Sequence, residues 1–193
     1  MLQYYQSAGL QAEWLDKKSP EVVGKKAAIR IDGRNFDLIM PKGGSSMERG
    51  VGVGPPSIGK GVKKTWSGMA FHHIMKGLGG GSQDDLNAKM KAQKKGLVSK
   101  KLVDVHWEGG RLAGLLNGDA KLKTRILETG TDKLSVQADP KNDCVRVILR
   151  KKIRWTTTSK GIVVKKTETT VDNFPPILTL DVVDGIADHV RSI

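Results

Sequence analysis

The sequence has little of the residue types on which disulfide-bonded, zinc-binding and membrane-spanning proteins depend. Cys144 is the only cysteine in 193 residues, so neither an intramolecular disulfide nor a cysteine zinc cluster can form. No apolar run approaches the length that spans a bilayer. The first residues have neither a basic segment nor a long apolar one, which argues against a secretory signal. These absences predict an intracellular, cytoplasmic protein.

Apolar and aromatic residues are also scarce. Hydrophobic residues make up 38% of the chain and aromatic residues 5%, while there are 23 glycines. Globular domains are usually richer in apolar residues than this. The composition therefore predicts a modest core with extensive loops, in a chain long enough for one ordinary domain or two small ones.

No combination of residues is diagnostic of catalysis or of metal binding. The adjacent pair His72-His73 would point apart on a strand, so a metal site would need distant ligands. The GxSxG sequence of a nucleophile elbow is absent. The pair Asp84-Asp85 lies at a predicted helix start, where acids complement the helix dipole. We expect a protein that is not an enzyme and that uses no cofactor or metal.

Positive charge is what the sequence has in excess. Lysine and arginine number 33 against 20 acidic residues, giving a formal net charge of +13 and a pI of about 9.9. Such an excess attracts polyanions, including nucleic acid and anionic membrane surfaces. The alternative is that the charge serves only solubility.

Alternating apolar residues predict strands over much of the chain. Asp32-Gly33 favours a hairpin over residues 27–40 in which Ile29 lies opposite Phe36. Further strands are predicted near residues 97–107, 132–138, 143–155 and 162–171, with two short helices between residues 111 and 130. From Thr179 onwards apolar residues recur at helical spacing.

These patterns predict an α+β fold with a mainly antiparallel sheet and a C-terminal amphipathic helix docked on it. The alternative for the C-terminal half is a pleckstrin-homology-like small barrel. Glycines between residues 77 and 81 mark a candidate boundary. We therefore expect an N-terminal region, residues 1–80, with a hairpin and a long glycine-rich loop over 41–61. Residues 81–193 would form a C-terminal α+β domain.

The strongest cationic pattern lies in the strand predicted over 145–155. Side chains alternate across a strand, so one face would carry Arg146, Arg150, Lys152 and Arg154. Lys165 and Lys166 would be added by the next strand. Arginine forks bind phosphate or carboxylate at two points, which suits a polyanion site. The alternative is protection of an edge strand by charge.

A second basic segment is predicted to be helical. Ser82 and Asp85 have the spacing of a capping box, and Gly96 suits a helix end. On a helix from Ser82 to Lys95, three lysines would share one face, and two more would follow the helix. The predicted polyanion contacts of this segment are Lys91, Lys94, Lys95, Lys100 and Lys101. The alternative is a solvated helix face.

A third segment, Gly54 to Gly61, approaches the phosphate-loop pattern GxxxxGK[ST]. Gly61 replaces the Ser or Thr that would hold magnesium, and two prolines remove N–H donors from the loop. A looser phosphate site would use Gly59, Lys60, Lys63 and Lys64.

Together these segments predict a non-catalytic binding protein that contacts the nucleic acid backbone. One alternative is peripheral binding to anionic lipid. The other is a structural or assembly role, in which the glycine-rich loop and the helix predicted over 82–95 contact partner chains.

Overall fold

The computed structural model describes residues 1–48, 60–78, 82–97, 100–160, 166–172 and 174–193. These residues form an α+β fold with one large, mainly antiparallel sheet and a C-terminal helix, which confirms the predicted fold class. The strands are β1 (Ala12–Leu15), β2 (Ala28–Ile31), β3 (Leu38–Glu48), β4 (Lys60–Lys76), β5 (Ala88–Lys95), β6 (Lys101–Gly109), β7 (Leu134–Asp139), β8 (Cys144–Lys160) and β9 (Lys166–Asp172). The helices are α1 (Leu2–Ser7), α2 (Gln83–Leu86), α3 (Arg111–Gly118), α4 (Ala120–Thr129) and α5 (Thr179–Arg191).

The strand order joins the two halves of the chain in one sheet. It runs β1-β2-β3-β4-β8-β7-β5-β6, and β9 pairs with β8. Because β8 from the second half lies beside β4 from the first, the sheet of the C-terminal half is not a separate structure. The alternative of a small barrel formed by that half alone is therefore wrong.

Two compact units are present, and we describe each by itself. Unit 1 comprises residues 1–41, 71–149 and 176–193, and unit 2 comprises residues 42–70 and 150–175. The division predicted after residue 80 does not separate these units, because each takes residues from both halves of the chain.

The stretch predicted to be a long glycine-rich loop is strand at both ends. Strand β3 continues to Glu48 and β4 begins at Lys60, whereas residues 49–59 lie outside the described part of the chain. The loop prediction over 41–61 is thus wrong for its first and last residues.

Helices α3, α4 and α5 of unit 1 follow their sequence signals closely. Along α5 the residues at helical spacing are buried, among them Val183 and Ile186. Helices α3 and α4 pack against α5, and a Cβ at Gly185 would come within 3.2 Å of Leu122 on α4. The side chain of Asp119 caps α4 by accepting a 2.9 Å hydrogen bond from the Leu122 N–H. None of the described helices is long and apolar enough to cross a bilayer.

The hairpin of β2 and β3 exists, but its predicted register is wrong. Ile29 lies opposite Ile39 and not opposite Phe36. The connection is longer than two residues because Arg34 and Asn35 leave the sheet to bind α5. The guanidinium of Arg34 and the backbone N–H of Asn35 both donate to Asp184, at 2.9 and 2.8 Å.

The helix predicted from Ser82 to Lys95 is also wrong. Only α2 forms, and the Ser82 side chain makes no capping hydrogen bond. Strand β5 follows, with Ala88 and Met90 buried while Lys89 and Lys91 are exposed. This two-residue alternation fits a strand with one buried face. The spacing of the lysines alone does not reveal it.

Candidate polyanion-binding surface

Strands β5 and β6 form an antiparallel hairpin whose two faces differ in chemistry. Ala88 and Met90 lie on the buried face, as do Val105 and Trp107 of the partner strand. Residues directly opposite each other share a face. The other face, which we call the hairpin face, carries Lys89, Lys91, Gln93 and Lys95 of β5 with Lys101, Asp104, His106 and Glu108 of β6.

A β-bulge at Val103 completes the hairpin face. Gln93 lies opposite Asp104 but Lys94 lies opposite Leu102, so Val103 has no counterpart on β5. The extra residue shifts the alternation of β6. As a result Lys101, and not Leu102, comes opposite Lys95 and lies on the hairpin face.

Charges are balanced at the end of the hairpin face near Glu108. The Lys91 ammonium lies 3.2 Å from the Glu108 carboxylate. Asp104 binds Lys123 of α4 at 2.6 Å. The hydrogen bond from Lys123, followed by one from the Val105 N–H, holds the pKa of Asp104 below its usual value. The two acidic side chains at this end of the face are therefore already paired with lysines of the same chain.

The opposite end of the hairpin is cationic without compensation. Lys95 lies directly opposite Lys101, and the exposed Lys100 immediately precedes Lys101. No ion pair joins these three lysines to a carboxylate in the described part of the chain. We call Lys95, Lys100 and Lys101 the hairpin tip. Leu97, two residues after Lys95, is fully exposed, at 103% of its reference area.

Lys94 lies on the other side of the hairpin from its neighbours. Its ammonium binds the carboxylate of Asp132. The predicted helix placed Lys91, Lys94 and Lys95 on one face, and the strand separates them. The grouping of these lysines is thus corrected: Lys91 and Lys95 share the hairpin face, and Lys94 is held in an ion pair behind it.

Arg146 of β8 is also engaged within the protein. Its Nε donates a 2.8 Å hydrogen bond to Asp139, and its Nη2 contacts the same oxygen. Burial alone would raise the pKa of Asp139, but hydrogen bonds from Asn142 and Arg146 hold it below its usual value. The Arg146 side chain is 17% exposed. It serves as an internal counter-ion more than as a free cation.

The cationic stripe predicted on β8 is interrupted inside unit 1. Lys89 lies opposite Ser135, and Ser135 lies opposite Ile148, so Ile148 and Arg146 share the side of the sheet that carries Lys89. Ile148 is only 2% exposed. Ile148 is thus the neighbour of Arg146 on this face, and because it is buried, the predicted stripe has no open surface there.

The remaining predicted cations of this segment belong to unit 2. Arg150 and Lys152 are exposed. Arg154 lies opposite Asp172 in the register, and Lys166 lies opposite Lys160. Lys165 falls outside the described residues. For unit 2, a shared cationic surface stays a prediction.

The candidate phosphate loop has a strand where the motif requires a helix. Lys60, Lys63 and Lys64 lie in β4, and Gly59 is outside the described residues. A phosphate loop places the anion at the N-terminus of the helix that follows it. Because β4 follows instead, the backbone cradle of that motif is not available at Lys60.

His72 and His73 are neighbours in β4, so their side chains point to opposite faces of the strand. His73 is buried, with Nδ1 3.3 Å from the Val147 carbonyl oxygen. Burial lowers the pKa of His73 to about 4, so this imidazole is neutral near pH 7. Among the described residues no three His, Cys, Asp or Glu side chains are grouped to hold a metal ion.

Comparisons with known proteins give this chain no relative. No protein-family model matches it, and neither a curated protein nor a solved structure is similar to it.

Proposed function

We propose that this protein binds the phosphate backbone of nucleic acid through the hairpin tip. The observation that carries the proposal is the direct opposition of Lys95 and Lys101 with no carboxylate between them. Like charges directly opposite each other destabilise a strand pair. All three tip lysines are exposed, so a ligand can reach them. An anionic ligand would relieve the repulsion.

Lysine chemistry favours contacts to phosphate over contacts to bases. The ammonium is a flexible point charge that positions a protein on the backbone without reading sequence. Trp107 is buried, so it offers bases no stacking surface. We expect weak sequence preference. With three phosphate contacts, the logarithm of affinity should fall with that of salt at a slope of about −2.7 for duplex DNA.

The test compares two triple charge reversals by fluorescence anisotropy with a labelled DNA duplex. The first variant is Lys95→Glu, Lys100→Glu and Lys101→Glu. The control is Lys17→Glu, Lys18→Glu and Lys141→Glu, which changes net charge equally at exposed lysines without ion pairs among the described residues. We expect the tip variant to lose at least about tenfold more affinity at moderate salt.

Equal losses in the two variants would show that net charge alone attracts the DNA, and the proposal would fail. It would fail equally if the tip variant bound like wild type. If the tip variant kept its affinity but aggregated, the lysines would be edge protection, because β6 stands at the end of the strand order.

Anionic lipid is a second candidate, favoured by Leu97. A fully exposed leucine among lysines resembles surfaces that insert an apolar side chain between lipid headgroups. We expect this alternative to require Leu97, whereas backbone binding to DNA does not. Co-sedimentation of wild type and Leu97→Ser with phosphatidylserine vesicles, and with neutral vesicles as control, separates the two.

A further inference from the structure

Side chains occupy the outer edge of β6, which stands at one end of the strand order. The Trp107 N–H donates a 2.8 Å hydrogen bond to Oδ1 of Asn117, and Nδ2 of Asn117 donates a 2.9 Å hydrogen bond to the Trp107 carbonyl oxygen. Two residues earlier, the Val105 N–H donates to Oδ1 of Asp104 at 2.9 Å. Alternate residues of a strand direct their backbone groups to the same side. Val105 and Trp107 therefore direct theirs away from β5.

The turn from β6 into α3 brings Asn117 back to this edge. A Cβ at Gly110 would collide with the backbone of Asp84, so this tight turn requires glycine. From Arg111 to Asn117 a helix advances about 9 Å, and from Trp107 to Gly110 a strand advances about 10 Å. Helix α3 therefore folds back along β6 by the length that places Asn117 beside Trp107.

The carboxamide of Asn117 replaces the peptide group of a neighbouring strand. It has a donor and an acceptor, as a peptide group does, and both are used on the same residue of β6. A free strand edge is otherwise a template for pairing with another chain, and bulges are one means of preventing it. The bulge at Val103, a residue that is 40% exposed, lies in the same strand. Two independent features thus act against strand addition at β6.

We propose that Asn117 closes the edge of β6 against pairing with β6 of a second copy of this chain. Two identical edges can pair across a two-fold axis, the commonest symmetry of homo-oligomers. The net charge of +13 repels a second copy wherever cationic surfaces meet. That repulsion is weak at this part of β6, because Asp104 and Glu108 are each paired with a lysine. The amide therefore does there what charge does elsewhere. This inference is independent of nucleic acid binding.

The test opens the edge by Asn117→Ala, which removes the amide without adding apolar surface. The control is Thr124→Ala, which removes an exposed side-chain hydrogen bond that stays within α4. Amide exchange at Trp107, followed by NMR, should be roughly three- to tenfold faster in Asn117→Ala than in wild type or the control. Sedimentation velocity should show reversible, concentration-dependent association of Asn117→Ala alone. Adding Val103→Lys to Asn117→Ala should restore the monomer, because lysine on a strand edge opposes pairing.

Four results would overturn the proposal. Asn117→Ala could associate no more than Thr124→Ala, or it could associate equally with and without Val103→Lys. Association of wild type that Val103→Lys abolishes would show that the edge is open despite Asn117. The fourth is irreversible aggregation of Asn117→Ala with loss of its far-ultraviolet circular dichroism. That result would mean that Asn117 holds the fold together and does not guard the edge.

Discussion

The two units differ in the helices that accompany their strands. In the described part of unit 1 five helices accompany the strands, and the apolar residues of α5 are buried. None of the described residues of unit 2 is helical. Unit 1 thus contains a core built from strands and helices, whereas the described part of unit 2 contributes strands without a helical layer.

The largest effect is expected from removing core volume in unit 1. Ile186 of α5 is fully buried, and Ile186→Ala should lower the free energy of unfolding by about 2–5 kcal/mol. Arg150→Ala, at an exposed position of unit 2, should change it by no more than about 0.5 kcal/mol. Urea unfolding followed by circular dichroism measures both. Similar losses would show that burial does not decide the cost of these two substitutions.

The next effect is a dependence on pH that belongs to unit 1. Burial lowers the pKa of His73 from 6.5 to about 4. Above pH 6.5 neither the folded nor the unfolded state binds this proton. As the pH falls below 6.5 the unfolded state takes up a proton that the folded state cannot, so stability declines until about pH 4. The expected loss is about 3 kcal/mol.

A substitution that cannot titrate isolates this contribution. His73 packs edge-to-face against Phe36 with ring centroids 5.1 Å apart, so His73→Phe keeps an aromatic contact. The difference in unfolding free energy between pH 7 and pH 4.5 should be smaller in this variant than in wild type. His106→Gln is the control, because His106 is exposed on the hairpin face. An unchanged pH dependence in His73→Phe would contradict the assignment.

The third prediction sets burial against the number of ion pairs within unit 1. Arg34 is 14% exposed and binds Asp181 at 2.6 Å and Asp184 at 2.9 Å. Arg34→Ala leaves two carboxylates of α5 without their cation and should cost about 1–3 kcal/mol. These ion pairs join the β2–β3 connection to α5. Unit 2 has no such link to a helix, because none of its described residues is helical.

Arg30 is the matched control for Arg34. It lies within 4 Å of three carboxylates, those of Glu13, Glu21 and Asp32, but its side chain is 41% exposed. Solvent screens such pairs, so Arg30→Ala should cost about 0.2–1 kcal/mol despite the larger number of partners. A greater loss for Arg30→Ala than for Arg34→Ala in thermal unfolding would mean that the number of pairs outweighs burial.

What sequence reasoning predicted well has a local cause. The apolar alternation of the strands and the helical spacing of α5 both act within a few residues. The fold class follows from them. The errors come from contacts distant in sequence. The Asn87 side chain accepts a hydrogen bond from the Ala138 N–H, 51 residues away, where the predicted helix should have continued.

The same reason limits what the sequence predicts at the candidate site. The sequence predicts Lys95, Lys100 and Lys101 as polyanion contacts, but it does not predict their arrangement, which depends on the bulge at Val103. It also assigned Arg146 to a free surface. Only folding brings Asp139 to this arginine, and a charge count along the chain does not reveal which cations already have partners.

The smallest effect concerns the junction of α4 and α5, where a cap and an ion pair share one carboxylate. Asp119 accepts the Leu122 N–H through Oδ1, and its Oδ2 lies 2.9 Å from Nε2 of His189. The backbone hydrogen bond from Leu122, then the contact with His189, hold the pKa of Asp119 below its usual value. Its contribution is therefore present near pH 7 and is lost as the pH falls through the lowered pKa.

Two substitutions separate the cap from the charge. Asp119→Ala removes both and should cost about 1 kcal/mol at pH 7. Asp119→Asn keeps a good capping residue and removes the charge, so it should lose less than Asp119→Ala if the cap dominates. Urea unfolding at pH 7 measures both losses. Equal losses of stability would instead show that α4 is held against α5 by the ion pair, and that the helical layer of unit 1 depends on charge as well as on its core.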